Sequence, residues 1–185
     1  MMKRTLIYVL GACLAMPLLT SCLGDDPKNE EDPWKEQNDT WLISKELEKD
    51  ADGNPVYEKV TCSWDPNAFV LMKWHNDRAQ TASKLSPMST STVDVRYEVR
   101  TIDGTEVDNS KSRVTPAPGV YRSQLNKNIM GWIIGLGNMH IGDTCTILIP
   151  YNQAYGSIPY KGLKAYSSLV FDVRLVDIPA WEKPI

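Results

Sequence analysis

The sequence predicts an α+β fold: a curved antiparallel β-sheet wrapped around one short α-helix, with a helical extension before it. Three observations carry this. Val93, Val95, Tyr97 and Val99 alternate with Asp94, Arg96, Glu98 and Arg100, the period of a strand with one buried and one wet face. Ile129, Trp132, Ile133, Leu136 and Met139 recur at helical spacing, and Asn128 precedes them as a candidate cap. Leu169, Phe171, Val173 and Leu175 alternate with Asp172 and Arg174 in a last strand. Strands separated by a single short helix argue for a sheet folded onto that helix.

Taken from the N-terminus, residues 1–21 hold a charged start (Lys3, Arg4), an apolar stretch from Thr5 to Leu19 and the small pair Thr20-Ser21, the order of a signal peptide. The apolar stretch is shorter than the roughly 18 to 20 residues that span a bilayer, so a permanent transmembrane helix is the weaker reading. Leu19-Thr20-Ser21-Cys22 resembles the lipobox at which bacterial lipoproteins are cleaved and acylated on the new N-terminal cysteine. Acyl chains on Cys22 would hold the protein on a membrane, at about 0.8 kcal/mol per buried methylene. The expected location is therefore the cell envelope, lipid-anchored to the outer membrane at its periplasmic or surface face. Residues 22–32 are acidic and poor in apolar side chains, a flexible tether, although an acidic run after the lipidated cysteine also resembles a surface-export signal.

Asp32-Pro33 opens a helix, with a carboxylate to cap free amides and a proline in the first turn. Trp34, Trp41 and Leu42 share one face of that helix, which is expected to run to about Lys49. Asp52-Gly53-Asn54-Pro55 turns the chain; Val56 to Val60 and Phe69 to Trp74 read as short strands around a Trp64–Asn67 turn. Residues 33–90 thus form an N-terminal region, and 91–185 the main domain. Within the latter, Ile102-Asp103-Gly104-Thr105 supplies a turn, Val107-Asp108 leads into a long loop, and Thr144 to Ile149 is a strand ended by Pro150.

Composition excludes several functions. The formal net charge is −3, and loss of Lys3 and Arg4 makes it more negative by two; without clustered cations a nucleic-acid partner is not expected. His75 and His140 are lone histidines without ligand spacing, so neither a metal nor another cofactor is expected. Cys62 and Cys145 either pair in an oxidising envelope or remain buried thiols. Trp34, Trp41, Trp64 and Trp74 fit a core better than a stacking platform.

The run Gly131-Trp132-x-x-Gly135-Leu136-x-x-Met139-x-x-Gly142, then Ile149-Pro150, Ala154-Tyr155-Gly156 and Leu169-Val170-Phe171-Asp172-Val173, resembles the second half of an FKBP-type (macrolide-binding) peptidyl-prolyl isomerase domain. Val95-Arg96-Tyr97, Asp103-Gly104 and Val107-Asp108-Asn109-Ser110 resemble its first half, so the likeness covers about 93–178. It implies a pocket floored by Trp132 and walled by Tyr155 and Phe171, with Tyr97 on the first strand. It also implies a buried Asp108 paired to Arg113, and a ligand carbonyl held by the backbone amide of Ile129. Proline-containing polypeptides and macrolides are the ligands it implies. No nucleophile is needed, because the barrier to be lowered, about 18 to 20 kcal/mol, arises from amide resonance, and an apolar aromatic pocket favours the twisted, deconjugated amide.

Two departures bear on activity. Val107 stands where the family has an aromatic before the aspartate, and Leu163-Lys164-Ala165 replaces its Ile-Pro-Pro, with Leu163 in the isoleucine's place. The family's loop phenylalanine has Val120 or Tyr121 as nearest candidates. The leading function is isomerisation of Xaa-Pro bonds in exported proteins. The alternative is a non-catalytic peptide-binding or chaperone module on the same fold, and a surface carbohydrate-binding role stands behind both.

Overall fold

The computed structural model describes residues 32–181. The expected signal peptide (1–21), Cys22 and the tether up to residue 31 lie outside them. The first element is helix α1, Pro33–Glu46, in which the Asp32 carboxylate accepts the Trp34 N–H at 2.9 Å as expected of a cap. It ends before Lys49. Its docking differs from the expectation: Trp34, Trp41 and Leu42 are only half-buried, and the helix's sole buried residue is Asn38.

Strands β1 (Glu58–Cys62), β2 (Asp65–Trp74), β3 (Thr92–Thr101), β4 (Glu106–Asn109) and β5 (Tyr121–Gln124) precede helix α2 (Met130–Gly137). Strands β6 (Thr144–Ile149) and β7 (Leu169–Ala180) follow it. All pair antiparallel in one sheet of order β1-β2-β6-β7-β3-β4, with β5 on the first half of β3. Because Leu71–Trp74 of β2 pair with Cys145–Leu148 of β6, the line drawn at residue 90 runs through one hydrogen-bonded sheet.

Several local expectations are corrected. The Trp64–Asn67 turn gives way to a tighter one: Cys62 pairs with Asp65, and a register shift before it leaves Pro66, Asn67 and Ala68 without partners on β1, Pro66 having no N–H for the ladder. Asn128 does not cap α2. Its side-chain amide donates to the carbonyls of Gln124 and Leu125, and Ile129 is the capping residue. Asp94, placed on the wet face by strict alternation, is buried, because register shifts on both sides of it turn the strand. It there accepts two hydrogen bonds from Arg122, both 2.7 Å. Of the tryptophans 34, 41, 64 and 74 none is fully buried: Trp64 is 67% exposed, Trp34 and Trp41 are half-buried, and Trp74 packs against the edge of the core while carrying the Arg78 guanidinium 3.9 Å from its ring centroid.

The core lies between α2 and the concave face of the sheet, built from Val70, Met72, Val93, Val95, Leu136, Met139, Ile147, Ile149 and Leu175. Glycine sets how close α2 approaches: a Cβ on Gly135 would come within 2.7 Å of Ile147 Cδ1, and one on Gly131 closer still to Ile149. Cys62 and Cys145 are buried free thiols, and burial pushes the Cys145 thiol up to about 12. His75 and His140 bond to Thr146 and Arg78. Beyond α2, buried Asp143 accepts from Thr81 Oγ1, Asn76 Nδ2 and the His140 N–H. Burial works to raise its carboxyl, but those hydrogen bonds and the Arg78 charge outweigh it and hold the carboxyl low.

Candidate functional site

At the N-terminal end of α2 the helix and the sheet enclose a cavity of about 740 Å³. Trp132, 4% exposed, forms its floor. Around the indole stand Tyr97 from β3, Tyr121 from β5 and Phe171 from β7, at centroid distances of 5.3, 6.2 and 5.4 Å and interplanar angles of 85°, 67° and 69°. Tyr97 lies a further 5.7 Å from Tyr121 and 6.1 Å from Phe171. Edge-to-face packing of this kind locks each ring through its neighbours. Tyr97 and Phe171 reach the same face because Val99 pairs with Phe171 and Tyr97 with Val173, which sets the two rings on a cross-strand diagonal.

One wall is polar. The Tyr97 hydroxyl donates to Asp108 Oδ2 at 2.6 Å. Burial, then the hydrogen bond and charge of Asp108, push the phenol well above the usual tyrosine range, with Arg113 working the other way. Tyr97 therefore remains a neutral donor at physiological pH. Asp108 itself is exposed, which corrects the expectation of a buried carboxylate. β4 is a short edge strand whose residues 106–108 all face solvent, so water solvates the carboxylate directly. No ion pair joins Arg113 to Asp108 among the described residues; the guanidinium instead lies 5.1 Å from the Tyr121 ring centroid.

The remaining expected residues converge here too. Ile129, at extended φ −62 and ψ 153, borders the cavity, and its N–H takes part in no hydrogen bond among the described residues. Leu163, buried, closes one side, and Val107, 40% exposed, stands at the rim. Tyr155, 37% exposed, has its hydroxyl pushed upward by burial. Of the two candidates for the loop aromatic, Tyr121 lines the cavity and Val120 does not.

Sequence reasoning missed Tyr160, Lys127 and Lys161. Tyr160 stacks on Tyr155 with centroids 4.2 Å apart and planes 10° from parallel. The pairing bridges a glycine turn in the loop before β7 and follows no sequence period. Its one sequence signal is two tyrosines in a Gly- and Pro-bearing loop.

A family model described as FKBP-type peptidyl-prolyl cis-trans isomerase matches residues 83–176. FkpA of Escherichia coli, an FKBP-type peptidyl-prolyl cis-trans isomerase by name, is 39% identical over 93 residues, covering 50% of this chain and 33% of its own. FK506-binding protein 2 of Debaryomyces hansenii is 32% identical over 114 residues, covering 62% of this chain and 80% of its own. The chain thus spans about a third of the length of the FkpA relatives it matches. A peptidyl-prolyl cis-trans isomerase from Pseudomonas syringae shares the fold with a TM-score of 0.61 at 22% identity, over 79% of this chain and 93% of its own.

Proposed function

The chain belongs to the FKBP-type peptidyl-prolyl cis-trans isomerase family, and from that membership we propose that it isomerises Xaa-Pro bonds in exported polypeptides while anchored to the outer membrane through Cys22. One observation carries the catalytic reading: Tyr97, Tyr121, Trp132 and Phe171 form a continuous aromatic wall in a single cavity. Such a wall replaces water around the prolyl amide. Water stabilises the planar, dipolar ground state, so its removal favours the twisted amide in which the nitrogen no longer conjugates with the carbonyl. The free Ile129 N–H is suited to hold a substrate carbonyl while the bond turns, and the Tyr97 hydroxyl keeps Asp108 facing the cavity. The pocket that takes a prolyl ring is also suited to a macrolide.

A protease-coupled assay on a short Xaa-Pro peptide tests the activity, and a rate equal to the uncatalysed one at high enzyme concentration overturns it. Acylation is tested by fatty-acid labelling in cells, expected for the parent and lost in Cys22→Ser. The exposed Val107, where an aromatic wall is thinned, favours a second reading as a peptide-binding module without turnover. That reading predicts proline-peptide binding by a protein that leaves the isomerisation rate unchanged.

A further inference from the structure

Two side chains of α1, buried Asn38 and half-buried Trp34, lie far from the cavity in sequence yet act on its least regular wall. Residues 154–168 leave β6 and return to β7 with little support of their own. Tyr160 and Leu163 exchange backbone hydrogen bonds of 3.0 and 2.8 Å, and the Tyr166 N–H reaches the Gly156 carbonyl at 2.9 Å. Lys161 and Tyr166 sit at φ 46 and 58, a region disfavoured for side chains that carry a Cβ. A segment holding two such residues keeps its shape only when its surroundings over-determine it. It nonetheless supplies Tyr155, Tyr160 and Leu163 to the cavity.

Tyr151 packs edge-on against Tyr166 and Leu163 sits in the core, and the rest of that surrounding is supplied by α1, which lies outside the segment matched to the family. Asn38, 0% exposed, accepts the Ser168 N–H at 2.8 Å through Oδ1 and donates from Nδ2 to the Trp34 carbonyl at 2.8 Å, so its amide is oriented from both ends. The Trp34 indole N–H donates to Ser167 Oγ at 2.9 Å, and that hydroxyl donates onward to the Lys164 carbonyl at 2.8 Å, next to Leu163. The Lys164 ammonium lies 4.9 Å from the Trp34 ring centroid. Ser167 and Ser168 are both buried with α1 in place, so the hydroxyl and the amide are satisfied there by α1 and not by water.

We propose that α1 is a strap, with Asn38 and Trp34 as positioning residues that hold the 154–168 loop in the shape that binds the proline-containing chain. The inference rests on the functional reading above for its ligand, though not on turnover. A loop less often in the competent shape weakens apparent affinity in proportion and leaves the chemistry of the bound state alone. Losing a buried hydrogen bond to a backbone amide therefore raises the loop's opening constant by roughly tenfold, and the Kd for peptide, with KM, by the matching loss of competent population and at most that tenfold, while kcat stays near the parent value.

The test uses the full chain and two variants, Asn38→Ala and Trp34→Phe, the second deleting only the indole donor. Amide hydrogen exchange of residues 155–168 is compared with that of β3 and β7, and Kd for a proline-containing peptide is measured alongside. The strap predicts loop exchange faster by about tenfold in Asn38→Ala and several-fold in Trp34→Phe, sheet exchange unchanged, and Kd raised by the loss of competent population that the loop exchange itself gives. If Asn38→Ala fails to fold, Trp34→Phe alone decides. Loop exchange at the parent rate, or a loop that loosens with Kd unchanged, overturns the proposal. A parent protein that binds peptide without isomerising it refutes the catalytic reading and leaves the strap standing on exchange and Kd.

Discussion

Trp132→Ala separates the aromatic floor as a working surface from the same residue as packing. The indole is 4% exposed and meets three other rings edge-on. Truncating a buried aromatic to alanine costs about 3 to 5 kcal/mol of stability, against a total of about 5 to 15 kcal/mol for a domain of ordinary stability. The variant is expected to fold with a lower Tm, and its near-ultraviolet circular dichroism should show the loss of one coupled ring rather than of all. For activity, the prolyl ring brings three methylenes, and burying them contributes about 2 kcal/mol at roughly 0.8 each. Taking away the surface they rest on lowers kcat/KM by about thirtyfold. The assay is protease-coupled isomerisation of an Xaa-Pro peptide at 10 °C, where the uncatalysed reaction is slow, with folded protein quantified first. A folded Trp132→Ala protein within twofold of the parent kcat/KM refutes the idea that this cavity is where the bond turns.

Three further outcomes follow from the same geometry. Tyr97→Phe keeps every ring contact and deletes only the donor to Asp108; since that carboxylate is exposed and rehydrates, kcat/KM should fall no more than about fivefold, and loss on the scale of Trp132→Ala would point to a catalytic role for the hydroxyl. The cavity mouth carries Arg113, Lys127 and Lys161 against Asp108 alone, so a peptide with glutamate before proline should outperform one with lysine there by about threefold to fivefold at low salt, the ratio shrinking at about 0.15 M salt; equal kcat/KM for both peptides denies the rim any part in selection. Asp143, whose carboxyl is held low, stabilises the fold fully above a pH of about 4 and loses that contribution as pH falls through its lowered value. Urea unfolding of the parent and of Asp143→Asn should thus differ by a constant amount at pH 6 to 8 and converge in acid, whereas a gap that widens in acid contradicts the assignment.

Periodicity explains what could be read before the structure. Tyr97, Trp132 and Phe171 occupy inward positions of two strands and a helix, and each of those elements announces its buried face by spacing alone. The family motifs then join the three faces into one pocket. Asp94 shows where spacing fails: register shifts around it turn an outward position inward, and nothing in an alternating run marks a bulge. Asn38 fails for another reason. Apolar stripes pass over a polar residue, so spacing gives α1 a tryptophan face although its buried contact is an amide that accepts a backbone N–H. Asp108 and Arg113 depend on how closely a loop covers an edge strand, which no local pattern encodes.

The cavity's lining divides by the kind of element that carries it. The floor and the rings around it belong to regular elements, whereas Tyr155, Tyr160, Leu163, Lys127, Lys161 and Arg113 all lie on connections whose shape is set by contacts distant in sequence. The step common to every Xaa-Pro substrate, desolvation and twisting of one amide, needs only the apolar floor. Choosing among substrates needs groups that reach the residues flanking the proline, and those sit on the connections. The division predicts that floor substitutions lower kcat/KM for all peptides alike, while substitutions at Lys127, Lys161 or Tyr160 re-rank peptides that differ beside the proline. A floor variant that re-ranked them as strongly as a rim variant would show that both tasks share the same side chains.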